Sequence, residues 1–172
     1  MSYVKETIGS TKLIRFYHKT DDIFDEASEI TAFKASAVRK ADGKADFSAV
    51  QISADEKEHL KKYIGKGILE IYGDLFKILG SDANDNPLFI NEDITVAAAT
   101  FEASGGFVID NEKYRELNLA LLESKIFDAL VDYVLYRWYL IKNMGDDSGI
   151  CLGRFKETLI EIIDLSLALR LP

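Results

Sequence analysis

The chain has 172 residues, of which 48% are apolar and 29% charged, and it carries a formal net charge of −8. This size and composition are typical of one globular domain that buries its own core. The acidic balance disfavours a protein that holds nucleic acid electrostatically, since such proteins present a basic face. A single cysteine, Cys151, excludes an internal disulfide, and we interpret it as a small apolar residue at the start of the last helix.

The first half of the chain begins ambiguously, because residues 1–20 are compatible with a short strand or with the start of a helix. Thr20 and two following aspartates are a helix-start signal. They predict a helix from about residue 21 to residues 34–39, although the β-branched pair Ile30–Thr31 is expected to weaken its middle. Residues 41–50 hold few large apolar side chains and predict a surface loop.

The second helix is predicted from about residue 54 to residue 79. Ser53 and Glu56 have the spacing of a capping box, which satisfies free backbone donors at a helix start. Apolar residues then recur every three or four positions, at Leu60, Ile64, Ile68, Ile71, Leu75 and Ile78. The helix also contains Gly65, Gly67 and Gly73. Each glycine costs up to about 1 kcal/mol relative to alanine, unless a close helix contact uses the missing side chain.

A β-prone segment follows at about residues 88–109. Two stretches, 94–101 and 107–109, flank a Ser-Gly-Gly turn signal, and the pattern predicts a hairpin. A lone hairpin is only marginally stable, so this one either packs on the helices or projects to another chain. The residues expected to contact another subunit are Phe101, Ser104, Gly105, Gly106 and Phe107. The alternative for the two phenylalanines is that they cap the core of their own domain.

The last third predicts a long apolar helix over residues 114–141, a loop at 144–149 and a final helix. The long helix is apolar nearly all round, which predicts that other elements bury it. It carries too many charges to face lipid. We expect Tyr133 and Trp138 to lie in the core. Tyr136 and Tyr139 are expected to face a neighbouring subunit, since tyrosine is favoured at interfaces.

These elements predict one mainly α domain, residues 1–172. Residues 21–80 and 111–171 would form a small helical bundle, and an inserted β-hairpin or extended arm would occupy about 88–109. No internal repeat is present. The order is helix, loop, helix, hairpin, long helix, helix.

No pattern of catalytic, cofactor-binding or metal-binding residues is found. The two histidines, His18 and His59, have no partner at metal-ligand spacing. We interpret His59 as a surface residue and His18 as structural or exposed. An Asp/Asn alternation over residues 82–86 resembles the opening of a calcium loop, but Pro87 stands where the loop needs glycine. The sequence therefore predicts a polar turn there and no enzyme.

The arrangement of elements resembles the head–tail connector (adaptor or ring) proteins of phages and prophages of Bacteroidetes. Three features carry the resemblance: the end of the early helix at residues 29–34, the helix opening at residues 52–56, and the closing helix pair that ends in Arg170, Leu171 and Pro172. The resemblance implies a mainly helical virion protein that forms a ring below the portal and continues the DNA channel. It brings no catalytic residues and no cofactor.

The resemblance implies several partners: other copies of the chain in a ring, the portal, and other tail or connector proteins. Contact with packaged DNA would be passive and without sequence recognition, and no membrane contact is expected. The protein would function in the virion at the head–tail interface, after assembly in the host cytoplasm. Arg170, Leu171 and Pro172 form a second candidate contact, because a short apolar tail gains little in water. The alternative is a soluble helical protein-binding or regulatory protein, monomeric or dimeric, and an enzyme ranks third.

Overall fold

The computed structural model describes residues 2–8, 11–79, 89–90, 95–97, 100–110 and 119–168. In chain order the helices are α1 (Thr20–Ala37), α2 (Phe47–Val50), α3 (Lys57–Leu79), α4 (Leu119–Ile141) and α5 (Gly145–Ala168), and a 3₁₀ turn (Ala54–Glu56) precedes α3. The strands are β1 (Ser2–Ile8), β2 (Thr11–Lys19), β3 (Phe89–Ile90), β4 (Thr95–Ala97) and β5 (Thr100–Asp110). The predicted class, a mainly helical protein built on a small bundle, is confirmed.

Helix α4 is the central element of the bundle, as its nearly continuous apolar sequence predicts. Its buried residues point in several directions around the helix axis, and they include Leu122, Ile126, Leu130, Val134 and Trp138. Helix α5 packs antiparallel along it, while α3 and α1 contact two further sides. A helix that is apolar nearly all round is stable in water only when neighbours cover it in this way.

The contact between α3 and α4 explains one of the three glycines in α3. A Cβ atom built on Gly67 would lie 3.1 Å from Cδ1 of Tyr133 and 3.3 Å from Cδ2 of Leu130. A Cβ built on Gly73, in contrast, would have no atom of the described residues within 4 Å. A glycine inside a helix was expected where a neighbouring helix comes too close for a side chain. Gly67 lies at such a contact, whereas Gly73 does not.

Helix α3 starts as predicted. The Ser53 backbone N–H donates to Oε2 of Glu56 at 2.8 Å, and the reciprocal bond of the capping box is also present. The first turn is 3₁₀ and continues into the α-helix.

Helix α1 continues through Ile30 and Thr31, and Thr31 ties it to a distant part of the chain. Its hydroxyl donates to the carbonyl oxygens of Ala27 and Ser28, both at 3.0 Å, and accepts the Ile52 N–H at 3.1 Å. The Ser28 hydroxyl donates to the Ile52 carbonyl at 2.9 Å. Both backbone groups of Ile52 are thus satisfied by α1 side chains, which fixes the entry to α3 against α1.

The turn between α4 and α5 is shorter than the predicted loop at 144–149. Asn143 has a left-handed backbone with φ of 57°. The Met144 N–H donates to the Tyr139 carbonyl at 2.9 Å, and the Asn143 N–H donates to the Leu140 carbonyl at 3.1 Å. These two bonds form a Schellman motif, which ends α4. Helix α5 starts at Gly145, so the acidic residues predicted to lie in a loop form its first turn.

The β segment joins a sheet that also includes the N-terminal residues. The five-stranded sheet has the order β1-β2-β5-β3, with β4 also paired to β5, and all pairs are antiparallel. The predicted Gly-Gly turn is wrong, because Gly105 and Gly106 lie inside β5 opposite Phe16 and Arg15 of β2. A strand supplied from the start of the chain pairs with this segment and keeps it extended through both glycines.

Candidate functional site

The predicted contact residues from Phe101 to Phe107 all lie in strand β5. On one side β5 pairs with β2 through residues 102–110, and on the other it pairs with β3 and β4. Gly106 is opposite Arg15 on one side and Ile90 on the other. The segment is therefore an inner strand and not a projecting turn, and Ser104 and Gly105 are not at the tip of an arm.

The tyrosines expected at a subunit interface differ in exposure. Tyr139 is only 3% exposed, and Lys34 covers its ring at 5.0 Å, so the prediction that Tyr139 faces a neighbour is wrong. Tyr136 is half-buried and keeps an accessible edge. Tyr133 and Trp138 lie in the core as predicted, at 3% and 2% exposure. Arg170, Leu171 and Pro172, like the Asp/Asn turn at 82–86, lie outside the described residues.

An open cleft of about 390 Å³ lies between α1, α4 and α5. We call it the acidic cleft, and its lining consists of Glu26, Ile30, Lys125, Asp128, Val131, Asp132, Arg154, Glu157, Thr158 and Glu161. Carboxylates outnumber basic groups in this lining, so the cleft carries a net negative charge at neutral pH. Such a cleft attracts a cationic group of a partner.

Two ion pairs cross the cleft and neutralise part of its charge. Arg154 Nη2 lies 2.6 Å from Oδ1 of Asp132, and Lys125 Nζ lies 2.6 Å from Oε2 of Glu161. Burial raises the pKa of Asp132, and the Arg154 guanidinium partly opposes this effect. Burial likewise raises the pKa of Asp128, with Lys125 opposing it.

Three carboxylates of the cleft, Glu26, Asp128 and Glu157, make no salt bridge within the described part of the chain. All three residues are also exposed to solvent. These free charges are the part of the cleft that is available to a basic partner, because the paired carboxylates already have a cation within hydrogen-bond distance.

The sequence contained a signal for this cleft that the predictions did not use. Lys125, Asp128 and Asp132 recur on α4 with the same spacing as Arg154, Glu157 and Glu161 on α5. Residues at this spacing share one face of a helix. The sequence-based prediction used the charges in α4 only to exclude a membrane helix. A charged stripe on an otherwise apolar helix also indicates that this face is exposed.

Four of the nine large exposed apolar residues in the described part of the chain lie near the turn between α4 and α5. Leu140 and Ile141, at 44% and 51% exposure, end α4, and Ile150, at 59%, lies near the start of α5. The end of α1 is held at this turn because Lys34 forms an ion pair with Asp147 and lies over the Tyr139 ring. The residue next to Lys34, Phe33, is 83% exposed.

We call Phe33, Leu140, Ile141 and Ile150 the apolar end. Single exposed apolar residues are ordinary, but several at one end of a small acidic protein mark a surface for protein contact.

Several buried polar groups lack a hydrogen-bond partner among the described residues. Both ring nitrogens of His18 do so, as do Oε1 of Glu123 and Oγ of Ser166. Burial lowers the pKa of His18 to about 4, so the ring is neutral at pH 7. His18 is thus buried and structural, one of the two roles the sequence allowed, and His59 is exposed as predicted.

The cysteine is buried, as its sequence context predicts. Cys151 is 3% exposed, and burial raises the pKa of its thiol although Arg154 Nη2 lies 3.5 Å from Sγ. A buried thiol with a raised pKa is a poor nucleophile.

Within the described ranges, no group of three His, Cys, Asp or Glu side chains is arranged to hold a metal ion. The described helices include none that is long and apolar enough to span a membrane.

Comparison with known proteins identifies no relative: no family model matches the chain, and neither a curated protein nor a solved structure matches it significantly.

Proposed function

We propose that this protein is a structural virion protein, a non-catalytic subunit of the oligomeric head–tail connector (adaptor or ring) that continues the DNA channel next to the portal. The proposal combines the sequence resemblance with surfaces suited to protein contact. Its partners would be other copies of the chain, the portal and other tail proteins. Its acidic charge would keep contact with packaged DNA passive, because like charges repel.

The observation that carries the proposal is the apolar end. Burying apolar surface contributes about 25 cal/mol per Å², so a partner that covers these exposed side chains gains free energy. They lie on rigid helices that are fixed by the Schellman turn at Asn143 and by the Lys34–Asp147 ion pair. Exposed apolar side chains on preformed helices favour assembly, since little ordering of the backbone is needed on contact.

The mass of the purified protein, measured by light scattering over a range of concentrations, tests the proposal, with negative-stain electron microscopy of any large species. We expect a ring-sized oligomer. The double variant Phe33→Ser and Ile150→Ser should shift the mass towards the monomer, since both side chains are exposed and their loss leaves the core intact. A matched control, Leu69→Ser and Ile160→Ser, removes two exposed apolar residues from α3 and α5 outside the apolar end.

A protein that stays monomeric at every concentration would contradict the ring subunit. Deleting residues 101–107 is not a suitable variant, because it removes the strand that pairs with β2, β3 and β4.

A second candidate is a soluble helical protein that binds or regulates one partner as a monomer or dimer. The observation that favours it is the exposure of Phe33, because a protruding aromatic residue is typical of binding hot spots. A monomeric or dimeric mass, together with capture of one protein from the native source that Phe33→Ser abolishes, would support this candidate over the ring subunit.

A further inference from the structure

A basic patch lies on the side of the bundle formed by α3 and α4. Three cations surround the ring of Tyr63: Lys62 Nζ lies 5.0 Å from its centroid, Lys66 Nζ 5.9 Å, and the Arg137 guanidinium carbon 4.8 Å. The Arg137 guanidinium also lies 5.6 Å from the centroid of Tyr136. Aromatic rings hold cations in place in this geometry through the negative face of the ring.

We call Lys62, Lys66 and Arg137, with Tyr63 and Tyr136, the basic patch. Lys62 and Lys66 are exposed, and Arg137 and Tyr136 are half-buried. Tyrosine and arginine are enriched in protein interfaces, where arginine pairs with carboxylates in a bidentate manner.

Among the described side chains, one acidic residue lies beside the patch. Glu70, one helical turn beyond Lys66, accepts a hydrogen bond from the Tyr133 hydroxyl at 2.8 Å. The patch therefore keeps a net positive charge in a chain of net charge −8.

Arg137, the α4 residue that carries the charge of the basic patch, lies on the side of α4 that faces away from the acidic cleft. At 3.6 residues per turn, Asp128 of the cleft and Arg137 of the patch are about 180° apart around the helix. Helices α1 and α5 form the other walls of the cleft, whereas α3 forms the other half of the patch. Each copy of the protein thus displays two separate surfaces of opposite charge.

We propose that the basic patch of one copy docks into the acidic cleft of a second copy. This inference rests on the proposed function and names the contact that would build the ring. The free carboxylates of the cleft, Glu26, Asp128 and Glu157, supply acceptors for the lysines and the guanidinium of the patch. The cleft volume of about 390 Å³ leaves room for such side chains. The contact is heterologous, since it joins two different surfaces, and repetition of a heterologous contact closes into a ring when the rotation permits.

The test is a charge swap followed by light scattering at low and high salt. The patch variant carries Lys62→Glu and Lys66→Glu, and the cleft variant carries Glu26→Lys and Glu157→Lys. All four side chains are exposed, so each variant should fold, which circular dichroism verifies. In each variant alone, the patch and the cleft of neighbouring copies carry charge of the same sign and repel each other. Each variant should therefore be monomeric, with an association constant lowered by roughly tenfold or more.

An equimolar mixture of the two variants should assemble again. The negative patch of the patch variant pairs with the positive cleft of the cleft variant. The unaltered positive patch of the cleft variant pairs with the unaltered negative cleft of the patch variant, as in the wild type. Restored assembly also shows that both variants are folded. The control Lys44→Glu and Lys156→Glu makes the same change of net charge as the patch variant at exposed positions outside both surfaces, and it should leave the mass unchanged. Raising the salt from about 0.05 M to about 0.5 M should weaken the wild-type contact.

The outcomes separate this contact from the proposed function. A wild-type ring that both variants leave intact would overturn the charge contact and leave the ring subunit standing. A wild-type monomer at all concentrations and salt conditions would overturn both. A third outcome is that the patch variant keeps the oligomer but, unlike the wild type, no longer retards a random-sequence duplex DNA in a gel. This result would identify the basic patch as a nucleic-acid surface and overturn its role between copies.

Discussion

Replacing Gly67 by alanine tests the close contact between α3 and α4. Alanine has the higher helix propensity, which by itself would stabilise the helix by about 1 kcal/mol. The added methyl group, however, would lie 3.1 Å from Cδ1 and 3.2 Å from Cγ of Tyr133, closer than ordinary van der Waals contact. Overpacking of a core costs about 1–3 kcal/mol. We therefore expect Gly67→Ala to lower the free energy of unfolding by up to about 2 kcal/mol.

The neighbours of Gly67 leave Tyr133 little freedom to move away. Its hydroxyl donates to Glu70, and its ring packs edge-on against Phe155 at 5.1 Å and Tyr136 at 5.9 Å between centroids. A displaced ring would lose these contacts, so the strain cannot be relieved without cost.

The assay is urea unfolding followed by circular dichroism, with Gly73→Ala as the matched control in the same helix. No atom of the described part of the chain lies within 4 Å of a Cβ built on Gly73, so that variant should gain roughly 0.5–1 kcal/mol. In thermal unfolding each kcal/mol corresponds to about 2–4 °C in Tm for a chain of this size. Equal stabilisation by the two substitutions would refute the close contact.

Three further predictions concern single side chains. Thr31→Val should cost about 1–3 kcal/mol, because the buried N–H of Ile52 loses its acceptor, and urea unfolding measures the loss. Asn143→Ala should cost about 1 kcal/mol and Asn143→Gly nothing or less, because the left-handed backbone tolerates glycine better than alanine; thermal unfolding compares them. His18 has its pKa lowered to about 4 in the folded protein, against an ordinary value near 6.5. Its stabilising contribution is therefore fully present above about pH 6.5 and is lost as the pH falls towards 4, by up to about 3 kcal/mol, which urea midpoints at pH 7 and pH 5 follow.

Each of these predictions has its own control. Ser36→Ala removes an exposed hydroxyl bond within α1 and should cost far less than Thr31→Val. A similar stability for the alanine and glycine variants of Asn143 would argue against the Schellman turn. His18→Phe should make the free energy of unfolding depend less on pH between pH 7 and pH 5. An unchanged pH dependence would show that the pKa of His18 is not lowered by burial.

Sequence patterns predicted the helical elements well because these depend on neighbours in the chain. The Ser53–Glu56 capping box, the apolar stripe of α3 and the apolar sequence of α4 each act over a few residues. Burial of Trp138 and Cys151 followed from the same patterns, since an apolar helix in a protein of this size must be covered.

Prediction was wrong where residues far apart in the chain decide the conformation. Gly105 and Gly106 carry a turn signal, yet pairing with β2 keeps them extended in a strand. Tyr139 was expected at an interface, yet Lys34 of α1 covers its ring. In both cases the deciding partner is distant in sequence, and a local pattern contains no information about it.

The amino-acid sequence by itself determined the helical class, the start of α3 and the central position of α4, because capping and apolar periodicity are local. Only the tertiary structure decided that the N-terminal residues complete a sheet with β5. It also decided that charges from α1, α4 and α5 meet in one cleft, apart from the cations that α3 and α4 bring together around Tyr63. Neither arrangement is encoded by spacing along one segment, since each depends on which faces of separate helices and strands come together when the core is buried.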